Sequence, residues 1–278
     1  MTLPLAAATG RAADEALEPL AARLRAADDA GGPLGVAPGL RPTGDGWFPV
    51  ADLAARPYGL LDALVARTAR RWQAPPHVAA ALWWKNFSYW TALPVALGWA
   101  LNRRVPVLTA ETTLLSLPAA DPGMLVAMSE RRFATGDVAE LGAVIGDSLL
   151  RDLHAPLIDA LHDLTRVGRR GLWGSVAEAL AHPVVTFGGD LVDDPGDAAR
   201  TLLESVGEPV AGLVDLPRLP ELRRRTCCLW VTLGQGLCPT CCVTGSGETA
   251  CGVRRGDRRE DGRTGERGGE RRRARARS

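Results

Sequence analysis

The sequence predicts an α+β fold: a mainly helical body with a small antiparallel sheet, then a C-terminal cysteine-rich segment and a disordered tail. Three observations predict it. Apolar residues recur at helical spacing through most of the chain. A middle stretch, about 105–133, instead holds short apolar runs cut by proline and glycine. The final stretch, 252–278, collapses to Arg, Gly, Glu and Asp, and such a composition cannot bury enough surface to fold alone. The organisation expected is an N-terminal helix and loop (1–46), a body (47–226), a cysteine motif (227–242) and the tail (252–278).

The elements follow in order. Leu17, Leu20 and Leu24 place a helix from about Ala12 to Ala27. Gly31 to Gly46 is rich in Gly and Pro and reads as a loop. A second helix follows Pro57, with Leu60, Leu61, Leu64 and Val65 on its apolar face. Arg67, Arg70 and Arg71 fall in its last turns, where cations suit the helix dipole. Val78 to Leu101 is the most apolar segment, but Lys85-Asn86, Pro94 and Gly98 interrupt it. A buried core helix, or two broken helices, is expected there rather than a membrane span.

Val105-Pro-Val-Leu, Thr113-Leu-Leu-Ser-Leu and Met124-Leu-Val-Ala-Met, punctuated by Pro118 and Asp121-Pro-Gly, read as an antiparallel meander. Helical periodicity resumes near Asp137 and continues through Leu150, Leu153, Leu157, Leu161 and Leu164. Pro156 should start a new helix or kink this one. Further helices fit Gly171 to Ala181 and Pro195 to Val206.

A chain of 278 residues can bury a substantial core without disulfide staples. Its N-terminus lacks the basic flank and long apolar run of a signal peptide, so a cytoplasmic setting with reduced thiols is expected. Lys85 is the only lysine among the basic residues. The net charge of +1 divides into about +6 over 252–278 and about −5 over the rest. Nothing in that mildly acidic body points to nucleic-acid binding, and at most peripheral membrane contact is expected. No Gly-x-Gly-x-x-Gly fingerprint, Walker-type loop or Gly-x-Ser-x-Gly elbow is present.

All six cysteines lie between Cys227 and Cys251, and five fall within 227–242. Thiols so concentrated act together, as an iron–sulfur cluster, a zinc site or a disulfide knot. Cys238-Pro-Thr-Cys241 has the spacing of a zinc half-site. The adjacent pair Cys227-Cys228 does not, because neighbouring side chains on extended backbone point to opposite faces. Both reach one ion only through a tight turn. A two-iron cluster, with two metal centres to serve, tolerates an adjacent pair more easily.

Arg224-Arg-Thr-Cys-Cys-Leu-Trp230 followed by Cys238-x-x-Cys241 resembles the C-terminal signature of FhuF-like ferric-siderophore reductases. Trp84-Lys-Asn-Phe-Ser-Tyr-Trp-Thr-Ala-Leu-Pro-Val-Ala-Leu-Gly-Trp99 and Arg166-Val-Gly-Arg-Arg-Gly-Leu-Trp-Gly-Ser-Val-Ala-Glu-Ala-Leu180 resemble the actinobacterial branch, so the likeness spans roughly 47–242. It implies a [2Fe-2S] cluster held by Cys227, Cys228, Cys238 and Cys241. Nine residues separate Cys228 from Cys238, one fewer than is usual in that family. Cys242 is an additional thiol, able to substitute for Cys241 or to stay free; Cys251 is expected to be free.

The implied activity is one-electron reduction of a ferric siderophore in the cytoplasm, releasing ferrous iron. A reduced ferredoxin or a flavoprotein is the implied electron donor. Arg223, Arg224 and Arg225 are candidates to tune the cluster or attract an anionic siderophore, or they form a solvated basic patch. Trp83, Trp84, Phe87, Tyr89 and Trp90 read mainly as core, with one or two reaching a cleft; Trp84, Tyr89 and Trp90 are the aromatic candidates for substrate contact. His77, His154, His162 and His182 are scattered and read as helix or surface residues. Two alternatives stand beside the reductase: a zinc-stabilised siderophore-binding or interaction module, and a siderophore-assembly enzyme.

Overall fold

The computed structural model of the protein describes residues 10–31, 33–119, 123–218 and 221–243. The tail at 252–278, Cys251 and the Asp121-Pro122 part of the expected turn lie outside the described residues. The body is mainly helical with small antiparallel sheets, as the periodicity predicts.

Helix α1 (Arg11–Gly31) buries Leu17, Leu20 and Leu24 in the same core as the rest of the body. The boundary drawn at residue 46 therefore marks a change in composition and not a break in packing. Strand β1 (Phe48–Pro49) and a single helical turn, α2 (Ala51–Ala54), lead to α3 (Gly59–Trp72). α3 buries Leu61, Leu64 and Val65.

Helix α4 (Pro76–Asn102) is unbroken through Pro94. An internal proline costs roughly 3 kcal/mol of helix stability. Here apolar packing on nearly every side outweighs that: Trp84, Phe87, Val95 and Trp99 are all essentially inaccessible. Among the described residues, no helix is long and apolar enough to cross a membrane.

The meander is divided between two sheets. Strand β2 (Arg104–Pro106) follows α4, and β3 (Thr113–Ser116), β4 (Leu125–Met128) and β5 (Phe133–Thr135) come next. β3 pairs with β4 in the register Thr113↔Met128 to Ser116↔Leu125, and β1 completes that sheet through Phe48↔Leu115. β2 and β5 pair separately, Val105 opposite Ala134. A two-residue strand such as β1 carries no alternation pattern, which is why the sequence does not reveal it.

Helix α5 (Val138–Ile145) starts at a capping box: Asp137 accepts from the Glu140 backbone and Glu140 from the Asp137 backbone. A π-helical stretch, Gly146–His154, joins it to α6 (Ala155–Thr165). Pro156 lies in the first turn of α6, and the wider winding before it relieves the clash between its ring and the preceding turn. Helix α7 (Arg169–Phe187) runs further in both directions than expected and packs along α4. Helix α8 (Pro195–Val206) has the expected bounds, set by Asp194, whose carboxylate accepts from Gly196 and Asp197. Strands β6 (Val214–Arg218) and β7 (Glu221–Arg224) then form a hairpin that delivers the chain to the cysteines.

Candidate functional site

Helix α7 supplies the platform. Gly171, Gly174, Ser175 and Glu178 recur at helical spacing along one face, and the chain leaving β7 runs over it. A Cβ built on Gly174 would overlap Thr226 Oγ1, so the close approach depends on glycine there. Arg224, 1% exposed, is turned inward onto α7. Its guanidinium donates to Ser175 Oγ at 2.9 Å, the Gly171 carbonyl at 3.0 Å and Glu178 Oε2 at 3.3 Å. Its backbone N–H donates to the Thr240 carbonyl at 3.1 Å, which fastens the returning limb of the cysteine loop to β7.

Glu178 is the hub of this network. It accepts from the Thr240 hydroxyl at 2.5 Å and pairs with Lys85 at 3.3 Å as well as with Arg224. A buried carboxylate is tolerated because these partners replace its hydration. Sequence reasoning missed Glu178. The available signal was a lone acid within an apolar stretch of α7, matching the lone lysine of α4.

The cysteine loop turns sharply after its first pair. Leu229 is left-handed (φ 65°), supplying the tight turn an adjacent pair requires. The Leu229 N–H donates to Cys227 Sγ at 3.3 Å, and the Val243 N–H donates to Cys241 Sγ at 3.4 Å. Cys238-Pro-Thr-Cys241 closes its own turn, with the Cys241 N–H on the Cys238 carbonyl at 3.0 Å. The two halves meet at Cys228 and Cys238, whose sulfurs are 3.6 Å apart. That is too long for a disulfide. It is close to the ~3.7 Å expected for two sulfurs, each about 2.3 Å from one tetrahedral ion.

Cys227, Cys228, Cys238 and Cys241 are all free thiols. Cys242, buried in the structure, is already partnered and does not belong to this free set. No group of three or more His, Cys, Asp or Glu among the described residues is placed to hold a metal ion. Cys238 titrates at about 7, chiefly because Cys228 donates a hydrogen bond to its thiolate, with Lys85 adding to the effect. Cys228 is pushed upward by the same bond and by burial. The pair is thus a thiol–thiolate couple with the negative charge on Cys238.

Cys238 stands in the wall of a cavity of about 740 Å³ between α3, α4, α7 and the cysteine loop. Arg67, Arg71 and Trp72 line it from α3, Lys85 and Tyr89 from α4, and Glu178 from α7. Trp230 closes on Trp72 edge-to-face, with ring centroids 5.0 Å apart.

The expected contact residues are redistributed. Tyr89 does line the cavity, and burial, aided by Glu178, raises its hydroxyl to about 12, so it stays protonated beside His182 Nδ1 at 3.3 Å. Trp84 is inaccessible and donates to the Leu172 carbonyl at 2.9 Å; it is core and not a contact residue. Trp90 packs over Gly35 and bonds Asn86, outside the cavity lining. Of the arginine triplet, Arg223 pairs with Glu221 and Arg225 with Asp215. Arg224 acts from below, where its charge favours the Cys228 thiolate. None of the three lines the cavity, because strand alternation and the network on α7 direct them elsewhere.

The histidines occupy separate places. His154 is fully buried, bonded to Thr91 at 2.9 Å, and burial lowers it to about 3. His162 holds the Val167 carbonyl, and His77 lies exposed in the first turn of α4.

No protein-family model matches the chain, and no curated protein matches it by sequence.

Proposed function

We propose that this chain is a cytoplasmic ferric-siderophore reductase of the FhuF-like kind, with a [2Fe-2S] cluster held by Cys227, Cys228, Cys238 and Cys241. The observation that carries the reading is the Cys228–Cys238 pair, 3.6 Å apart, with Cys238 in the wall of the cavity. The donor set fits the group. Four free thiols are available, and two of them accept backbone N–H bonds of the kind that favour the thiolate form. A single zinc ion draws all four sulfurs into mutual contact, whereas two irons require only pairs. The structure brings one such pair together, Cys228 and Cys238.

When bound, such a cluster supplies a one-electron carrier at the cavity wall. The chain's own residues do the rest. The cavity is within the ~300–1,000 Å³ range of small-molecule sites and admits one chelate beside Cys238. Glu178, Arg224 and Thr240 hold the loop on α7, so the sulfurs are positioned before a substrate arrives. Trp72 and Trp230 restrict water at one edge. The substrate's ferric ion, held by hard oxygen donors, leaves them once it becomes ferrous, because those donors bind the softer ion far less well. A reduced ferredoxin or flavoprotein is the donor this reading needs.

The Cys238-x-x-Cys241 turn with its N–H···S bond also suits a structural zinc site. Anaerobic purification separates the two. A red-brown protein with about two irons and two sulfides per chain, bleached by dithionite, is expected of the reductase. Ferric siderophore should then yield ferrous iron that a ferrous-specific chelator traps. A colourless protein with about one zinc overturns the reading in favour of the non-catalytic module.

A further inference from the structure

The cavity beside Cys238 is unequally charged. Arg67 and Arg71 lie one turn apart on α3, both line it, and among the described residues neither meets a carboxylate. Elsewhere Arg23, Arg56, Arg169 and Arg225 are each paired with an aspartate. Lys85 adds a third cation to the wall, and its field reaches both Cys228 and Cys238. Among the described residues the only acid in the lining is Glu178, whose oxygens are committed to Arg224, Lys85 and Thr240.

Like charges at i and i+4 cost a helix a few tenths of a kcal/mol. The helix dipole compensates Arg71, which lies in the last turn and over the Trp72 ring at 5.5 Å. Arg67, a full turn earlier, has neither compensation. A bound anion would supply it to both.

We propose that the cavity takes a net-anionic ferric chelate built from carboxylate or α-hydroxycarboxylate groups, and discriminates by charge against neutral trihydroxamate chelates of similar size. The inference rests on the reductase reading for the ferric centre, but its charge selectivity is tested independently. Guanidinium groups present planar forks that match outward carboxylate oxygens bidentately, which neutral hydroxamate chelates do not offer. Trp72 and Trp230 provide an apolar edge for the ligand backbone. Of the three cavity cations, Lys85 is the one whose charge acts on both Cys228 and Cys238.

The test uses the full chain, purified anaerobically, and gallium(III) chelates, which bind like ferric ones but accept no electron. Quenching of tryptophan fluorescence reads binding apart from reduction. Gallium citrate should bind about tenfold or more tightly than a gallium trihydroxamate, and the preference should shrink with added salt. The double variant Arg67→Gln/Arg71→Gln should weaken gallium citrate about tenfold, change the trihydroxamate less than about twofold, and leave the visible spectrum unaltered. Equal binding of the two chelates, binding of neither, or equal loss of both in the variant overturns the proposal. So does a variant that binds both chelates normally but is reduced more slowly by ferredoxin, which assigns the arginines to the donor protein. A colourless zinc protein that still prefers gallium citrate overturns the reductase reading and leaves the anion site standing.

Discussion

The Thr240 hydroxyl donates to Glu178 Oε1 at 2.5 Å, tying the turn between Cys238 and Cys241 to the middle of α7. The same carboxylate holds Arg224, three residues before Cys227, so one acid secures both ends of the cysteine loop. Glu178→Ala should cost about 3–5 kcal/mol in urea unfolding, because Arg224 is then left buried without its counter-charge. Thr240→Val should cost only about 1 kcal/mol. On the proposed reductase function it should also lower iron content per chain, since it frees the loop without unfolding the body. Equal iron content in Thr240→Val and the parent protein would show that the loop needs no such anchor.

Gly174→Ala should act at the same place by a different route. The new methyl would overlap Thr226 Oγ1, and overpacking of this kind costs about 1–3 kcal/mol. Thr226→Ala in the same chain should recover part of the loss. Thermal unfolding of the two single variants and the double variant gives the coupling directly.

His154 makes stability depend on pH. Burial lowers it to about 3, so the folded protein stays unprotonated there while the unfolded chain takes up a proton below about 6.5. Protons bound only to the unfolded state favour unfolding as pH falls. Between about pH 6.5 and 3 this residue should remove about 1.4 kcal/mol per pH unit. His154→Gln should flatten that slope in urea titrations at several pH values, whatever its cost at neutral pH.

Cys238 should be a reactive thiol of the metal-free protein near neutral pH. Its thiolate forms at about pH 7, and iodoacetamide labelling located by peptide mass should show that midpoint. Cys228→Ala removes the donated hydrogen bond, so the midpoint should rise. Iron or zinc bound at the pair should protect Cys238 at every pH.

Much of this fold was legible because it is local. Resuming periodicity near Asp137 and the Pro195 boundary announced the starts of α5 and α8, and Leu17, Leu20 and Leu24 announced the face of α1. The β6–β7 hairpin was not legible: Val214-Asp-Leu-Pro-Arg and Glu221-Leu-Arg-Arg are too short and too charged to show alternation. In the site, the resemblance implied the four cysteines that prove to be free, and spacing alone asked for a tight turn at Cys227-Cys228; Leu229 provides it. The contact residues were harder. Arg224 read as a substrate-attracting or cluster-tuning charge, or else part of a solvated patch, and is buried on α7, while Arg67 and Arg71 read as helix-end residues and face a cavity.

The sequence by itself determined where most of the long helices run, where the thiols lie, and that Lys85 is the one lysine of the most apolar helix. Periodicity encodes which face of a segment avoids water. It does not encode which other segment that face will meet. Only the tertiary structure decided that Glu178 would join Arg224 across 46 residues and Thr240 across 62, and that Cys238 would open onto a cavity walled by α3 and α4. The physical reason is that a buried charge is stable only where its partners converge. That convergence is set by how α4, α7 and the β6–β7 hairpin pack.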